Sequence, residues 1–189
     1  DGTEEICLEL KKKIKPINLI IRKEEPKDLT KSCILGFKHS KFENILVMDG
    51  DLQHNPVSIP KLINTYFDQN CDVVIGSRNI FKKKNLGLGL IRLNISKILI
   101  LFLNFLLGKK TSDPMSGFFI FKKKIFINNE KKLYGKGYKI LTDLIYLNKN
   151  LKILDEEIDF DRRLKGKSKM NFKVLLHLII LIFFKFIKK

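Results

Sequence analysis

Cysteine is scarce in this sequence. Cys7, Cys33 and Cys71 are its three, set far apart, with no CxxC pair and no histidine at metal-ligand spacing. That pattern excludes a zinc ribbon or finger and offers no disulfide framework, so a reduced, cytosol-facing compartment fits best. No GxxxxGK[ST] run is present, which excludes a P-loop, and Gly117, Gly135 and Gly137 read as turn requirements. No internal repeat and no nucleic-acid recognition motif occur. The opening DGTEEICLEL is acidic and lacks the charged-then-apolar order of a secretory leader. It also lacks an initiator Met, so the chain is expected to begin inside a longer protein.

Acidic residues are also in deficit, 20 against 37 Lys and Arg, for a formal net charge of +17. The imbalance is local. Residues 1–77 hold 11 Lys/Arg against 12 Asp/Glu, a net of −1, whereas residues 78–189 hold 26 against 8, a net of +18. A field of that sign favours a polyanionic partner: nucleic acid, an anionic membrane surface or a phosphorylated substrate. With 189 residues, 44% of them hydrophobic, the chain is long enough for one domain with an apolar core and short for two.

Ile17–Ile21 and Asn44–Met48 are apolar runs of strand length, and Asp28–Ser40 between them reads as a helix. Pro56–Asn70 carries Ile59, Leu62, Ile63, Tyr66 and Phe67 at helical spacing, and Cys71–Gly76 reads as a further strand. Strand, crossover helix, parallel strand is the signature of an α/β sheet. Ligands of such sheets sit beyond the carboxyl ends of the strands, where the sequence puts Asp49-Gly50-Asp51 and Gly76-Ser77-Arg78.

Residues 86–107, LGLGLIRLNISKILILFLNFLL, are strongly apolar, with Arg92, Ser96 and Lys97 near the start. Arg92 and Ser96 are four apart and share a helical face. The uninterrupted apolar part falls short of the ~20 residues of a spanning helix, so a helix lying in the membrane interface is expected, with a buried core helix as the alternative. Val174–Ile187 would cover roughly 21 Å, less than the ~30 Å hydrocarbon core, and its lysine-rich flanks suit a helix seated among anionic headgroups. Residues 1–170 are therefore read as a catalytic domain and 171–189 as a membrane-associated helix.

Asp49 and Asp51 follow the apolar ILVM. Two carboxylates one residue apart at a strand end suit a hard divalent cation, Mg2+ or Mn2+, shared with a nucleotide diphosphate. Two aspartates in a surface turn are common, so context decides. That context is VMDGDLQHNPVSIPKLI, then DVVIGSRNI, DPMSGFFIFKK, GYKILTDLI and EEIDFDRRLKGKSKM. In this order and spacing the segments resemble the dolichyl-phosphate mannose synthases and their bacterial polyprenyl-phosphate relatives, within the inverting GT-A glycosyltransferases. The likeness runs from Asp1 to about Met170. Asp1-Gly2-Thr3 looks like the tail of that family's DDGS turn, with the first strand before it absent.

The resemblance implies a Rossmann-like, mostly parallel sheet flanked by helices. It implies metal coordination by Asp49, Asp51 and Gln53, and a nucleotide-sugar donor, GDP-mannose or UDP-glucose, held by Asp1, Arg163 and Lys169 together with the two metal aspartates. It also implies that a polyprenyl phosphate is received by Arg78, Arg92 and Ser96 at the cytoplasmic face of a membrane. Gly50 replaces the family's usual alanine. Asp113 is the candidate catalytic base, with Asp143 the second choice; a lipid phosphate, with a second pKa of ~6, needs no base, and Asp113 is then expected to orient the acceptor or a cationic side chain. His54 is expected to support the loop by packing. The alternatives are a saccharide hydroxyl as acceptor, an inactive membrane-associated fragment, or a basic nucleic-acid-binding module. The last is disfavoured because the positive residues accompany the apolar segments.

Overall fold

The computed structural model describes residues 2–15, 17–24, 27–78, 90–148, 150–161 and 172–187. Helix α1 (Thr3–Lys13) and helix α2 (Leu29–His39) precede strand β1 (Asn44–Met48). A 3-10 turn at Pro56–Ser58 leads into α3 (Ile59–Asp68), followed by β2 (Val73–Ser77) and α4 (Leu90–Leu107). Then come β3 (Phe118–Lys122), α5 (Lys123–Ile127), α6 (Ile140–Ile145), β4 (Ile153–Glu157) and α7 (Phe172–Ile187).

Local chemistry accounts for the boundaries. Asp28 caps α2, its Oδ1 accepting from the Lys31 amide at 3.0 Å, which satisfies one of the orphan donors of the first turn. Asn55 does the same for the 3-10 turn through Val57 N, and Pro56 occupies the first position, where no amide is needed.

The sheet order is β1-β3-β2-β4. β3 is antiparallel to both neighbours and β2 is parallel to β4, so β1, β2 and β4 share one direction. The expected α/β sheet flanked by helices is present, three of its four strands running the same way, with a refinement: β3 runs against them, and β1 and β2 are not neighbours because β3 lies between them. The strand expected at Ile17–Ile21 is absent. This run pairs with nothing in the sheet, and Ile20 and Ile21 are exposed. Strand propensity without a ladder partner and a surface to pack on does not hold a segment in a sheet.

Both faces of the sheet are covered, so Val73–Ile75 and Phe118–Phe121 of its central strands are continuously apolar instead of alternating. Val73, Ile75, Phe119 and Phe121 pack with Phe37 of α2, Ile125 and Phe126 of α5, and α6. On the opposite face Val74, Phe118 and Ile120 meet Leu62 and Tyr66 of α3. A third cluster joins α4 to α7 through Leu93, Leu99, Ile100 and Leu103 against Leu181 and Ile182, with Met115 reaching in from the loop before β3. Among the described residues, no helix is long and apolar enough to cross a membrane.

Candidate active site on the sheet rim

Three strands end, and β3 begins, on one rim, which gathers polar groups distant in sequence. Asp49 continues β1 by one residue, its amide donating to Gly117 O at 3.0 Å. Its carboxylate lies across the Gly117 backbone: a Cβ added at 117 would stand 2.0 Å from Asp49 Oδ2. Gly117 is therefore a requirement for space, not for a turn. Gly135 and Gly137, by contrast, have φ of 69° and 90° and do serve turns.

Beyond Asp49 the chain makes a tight loop. Leu52 sits at φ 59°, a left-handed conformation that is costly for a residue with a branched side chain. Asp51 Oδ1 accepts from Gln53 N at 3.2 Å, which closes the turn locally. Buried Gln53 donates from Nε2 to Asp161 O at 3.1 Å, while Asp161 N donates to Gln53 O at 2.9 Å. His54 and Phe160 form an antiparallel bridge. Thus the continuations of the two edge strands, β1 and β4, meet over the rim.

His54 is buried, its ring 5.3 Å from that of Phe118 and 5.0 Å from that of Phe160. Burial, with a contribution from Arg78, outweighs Asp51 and Asp113 and pushes its pKa down to about 4. The ring is neutral at neutral pH and supports the loop by packing, as the sequence suggests.

At the end of β2, Arg78 and Asp113 form a buried, two-point ion pair: Nε donates to Oδ2 at 2.6 Å and Nη2 to Oδ1 at 2.7 Å. The Arg78 amide adds a third bond to Oδ2 at 3.3 Å. Burial alone would lower the guanidinium pKa, but the Asp113 charge and hydrogen bonds, with help from Asp49, raise it. Asp113 is held in turn from below. Thr111 Oγ1 donates to Asp155 Oδ1 and accepts from the Asp113 amide at 3.2 Å, Ser112 N donates to Asp155 Oδ2 at 2.7 Å, and the Ser112 and Ser77 hydroxyls are 2.7 Å apart. The fork uses two of the five guanidinium donors.

The structure thus brings Asp49, Asp51, Gln53, Arg78 and Asp113 to one rim. Asp143 has a different setting, at the start of α6. Its carboxylate accepts from Tyr134 N at 3.1 Å and Gly135 N at 2.9 Å and so fixes the preceding turn. Ser96 is buried on α4. Arg92 belongs to the same helix, but its side chain lies outside the described residues, as do Asp1, Arg163 and Lys169. Two site residues escape a reading of the sequence: Asp155, whose role appears only once β4 is beside the 111–112 loop, and Phe160, whose ring lies 5.2 Å below the Arg78 guanidinium carbon.

The acidic loop suits a hard cation. Asp49 has its carboxylate set by the side-chain-free Gly117, and Asp51 is set by its turn. Among the described residues no three His, Cys, Asp or Glu side chains come together as a metal cage. Asp49 and Asp51 are the carboxylates that this rim could contribute to a hard cation.

The chain is 35% identical over 177 residues to the dolichol-phosphate mannosyltransferase of Pyrococcus furiosus, covering 93% of this chain and 49% of that protein. It is 29% identical to the enzyme of the same name from Mycosarcoma maydis, across 93% of this chain and 59% of the relative. An uncharacterized protein of Methanocaldococcus jannaschii is 30% identical, with 93% and 79% covered. The chain thus spans about half the length of the first of these relatives. The family model for glycosyl transferase family 2 matches residues 1–129, a span that contains the acidic loop, Arg78 and Asp113, and the chain belongs to that family.

Proposed function

We propose that this chain transfers a hexose, mannose or glucose, from a nucleoside diphosphate sugar to a polyprenyl phosphate, with inversion at the anomeric carbon. The observation that carries this reading is the juxtaposition on one rim of an oxygen-rich acidic loop, suited to a metal and diphosphate, and a buried arginine held at a fixed angle by Asp113. Donor diphosphate and acceptor phosphate are both anionic and each needs a positive partner: the acidic loop would supply one through a bound cation and Arg78 the other.

Asp49 and Asp51, with the Gln53 amide oxygen, are the residues for the cation. A bound Mg2+ or Mn2+ supplies positive charge that stabilises the departing diphosphate. Arg163, Lys169 and Asp1 are assigned to the donor, and Arg78, Arg92 and Ser96 to the acceptor phosphate. An acceptor oxygen attacks the anomeric carbon as the bond from that carbon to the diphosphate oxygen breaks. Because a phosphate monoester is already anionic near neutral pH, its second pKa being ~6, no proton has to be removed. Asp113 then serves to orient Arg78 instead of acting as base, and Asp143 serves the scaffold.

Membrane association at the cytoplasmic face is part of the same reading. It is supported by apolar side chains left open on the paired helices, with Phe105 85% and Ile187 81% exposed, and by the positive charge of residues 78–189.

The test is label transfer. The protein is incubated with Mn2+, a short polyprenyl phosphate and labelled GDP-mannose or UDP-glucose, and label is followed into the organic phase. Asp51→Ala is expected to lower turnover by about a thousand-fold, the scale of a lost electrostatic stabiliser. Label appearing in water-soluble glycan, or an unaffected Asp51→Ala variant, defeats the proposal. Asp113→Asn separates the two roles of that residue. A raised acceptor KM fits orientation of Arg78, and a loss confined to kcat fits a base.

A further inference from the structure

The Phe160 ring touches both halves of the rim. It is 5.0 Å from that of His54, edge to face at 68°, and the Arg78 guanidinium carbon lies 5.2 Å from its centroid. A cation within about 6 Å of an aromatic face is attracted to it, more so where water is excluded, and Arg78 is only 8% exposed.

The backbone around Phe160 is tied just as firmly to the acidic loop. His54 and Phe160 form a bridge, and Gln53 and Asp161 exchange two hydrogen bonds, one from the Gln53 side chain and one from the Asp161 amide. These ties join the 51–54 loop to residues 160–161, and the ring contact joins Phe160 to Arg78. On its other side Arg78 is held by Asp113.

We propose that Phe160 is a positioning residue that couples the acidic loop to Arg78, so that occupation of the loop by a metal and nucleoside diphosphate raises the affinity of the arginine side for a lipid phosphate. This rests on the reading above for the identity of the two ligands. Linkage requires the effect to be reciprocal: lipid phosphate tightens the nucleotide by the same factor.

The experiment is equilibrium binding to the full chain. Affinity for a short polyprenyl phosphate in detergent micelles is measured alone and with Mn2+ plus GDP, or Mn2+ plus UDP. For the wild type a tightening of about ten-fold is expected, within the usual range of coupling between sites. In Phe160→Leu the factor should fall to near one, while affinity for Mn2+ and the nucleotide alone stays within about two-fold, as expected where only the coupling between the sites is lost. Phe160→Tyr, which keeps the ring, should restore the factor. Phe160→Met takes the place of the leucine variant if that one does not fold.

A wild type that binds both ligands with no mutual effect overturns the coupling and leaves the transferase reading intact. So does a Leu or Met variant with the full factor. A wild type that binds no polyprenyl phosphate under any condition overturns both.

Discussion

The sheet and the α4–α7 pair treat apolar side chains in opposite ways. β2 and β3 bury both faces, and every residue from Val73 to Ser77 is enclosed. The helix pair buries one seam, Leu99, Ile100 and Leu103 against Leu181 and Ile182, and leaves Ile98, Leu101, Phe105, Leu176, Ile180 and Phe183 outside. The first arrangement makes a scaffold rigid enough to hold an ion pair and a carboxylate in register. The second leaves large apolar side chains open on both helices, and on the proposed reading these are what meets lipid.

Breaking the rim should be the costlier injury. Gly117→Ala puts a methyl where the Asp49 carboxylate lies, and turnover is expected to fall on the order of a hundred-fold, the cost of misplacing a reacting group by about an ångström. Circular dichroism should show the fold retained, because the displaced group is one side chain at the end of a strand. Unchanged turnover would mean that the Asp49 position does not matter to the chemistry.

Protonation of His54 tests the same region by pH. Its folded pKa, about 4, is below the ordinary 6.5. Between those values the unfolded chain binds a proton that the folded chain refuses. The stability contribution is whole above pH 6.5 and is lost progressively as pH falls toward 4. The loss is at most about 3 kcal/mol, since one pH unit is worth about 1.4 kcal/mol. Denaturant midpoints at pH 5 and pH 8 should differ more for the wild type than for His54→Asn.

The helix pair should respond most mildly in stability. Phe105→Ser and Phe183→Ser remove exposed rings and are expected to change the unfolding free energy by less than about 0.5 kcal/mol each. Binding to vesicles containing anionic lipid should weaken by roughly ten-fold or more, the burial of one aromatic side chain being worth about 1.5–3 kcal/mol. Equal vesicle binding by the double variant would show that this surface is not the one that meets lipid.

How far the sequence discloses the molecule depends on the range of the interaction concerned. Asn44–Met48 is visible as a strand because its four apolar residues, Ile45 to Met48, end at two aspartates, and the structure has the strand at those bounds. The helix between Asp28 and Ser40 is visible because its cap and its periodicity are local, and it is observed as Leu29–His39. Ile17–Ile21 carries the same apolar signal as Asn44–Met48 but has no partner strand, and pairing is not a local property.

At the site, Asp49, Asp51 and Arg78 are legible as strand-end residues. That Arg78 is held by Asp113, 35 residues away, and that Asp113 leans through Thr111 on Asp155, follows only from the order of strands. Gly117 shows the limit most clearly: its sequence neighbours suggest a turn, while its reason lies across the ladder in Asp49.

The antiparallel strand at the centre of the sheet carries a consequence for assembly. β1 and β2 have no hydrogen bond to each other, since β3 separates them. During synthesis, about 70 residues separate the end of β1 at Met48 from the start of β3 at Phe118, and they leave the ribosome at about 5–20 residues per second before these two strands acquire a common neighbour. Until then their apolar edges stand open, and a chaperone that recognises extended hydrophobic segments has its opportunity in that interval.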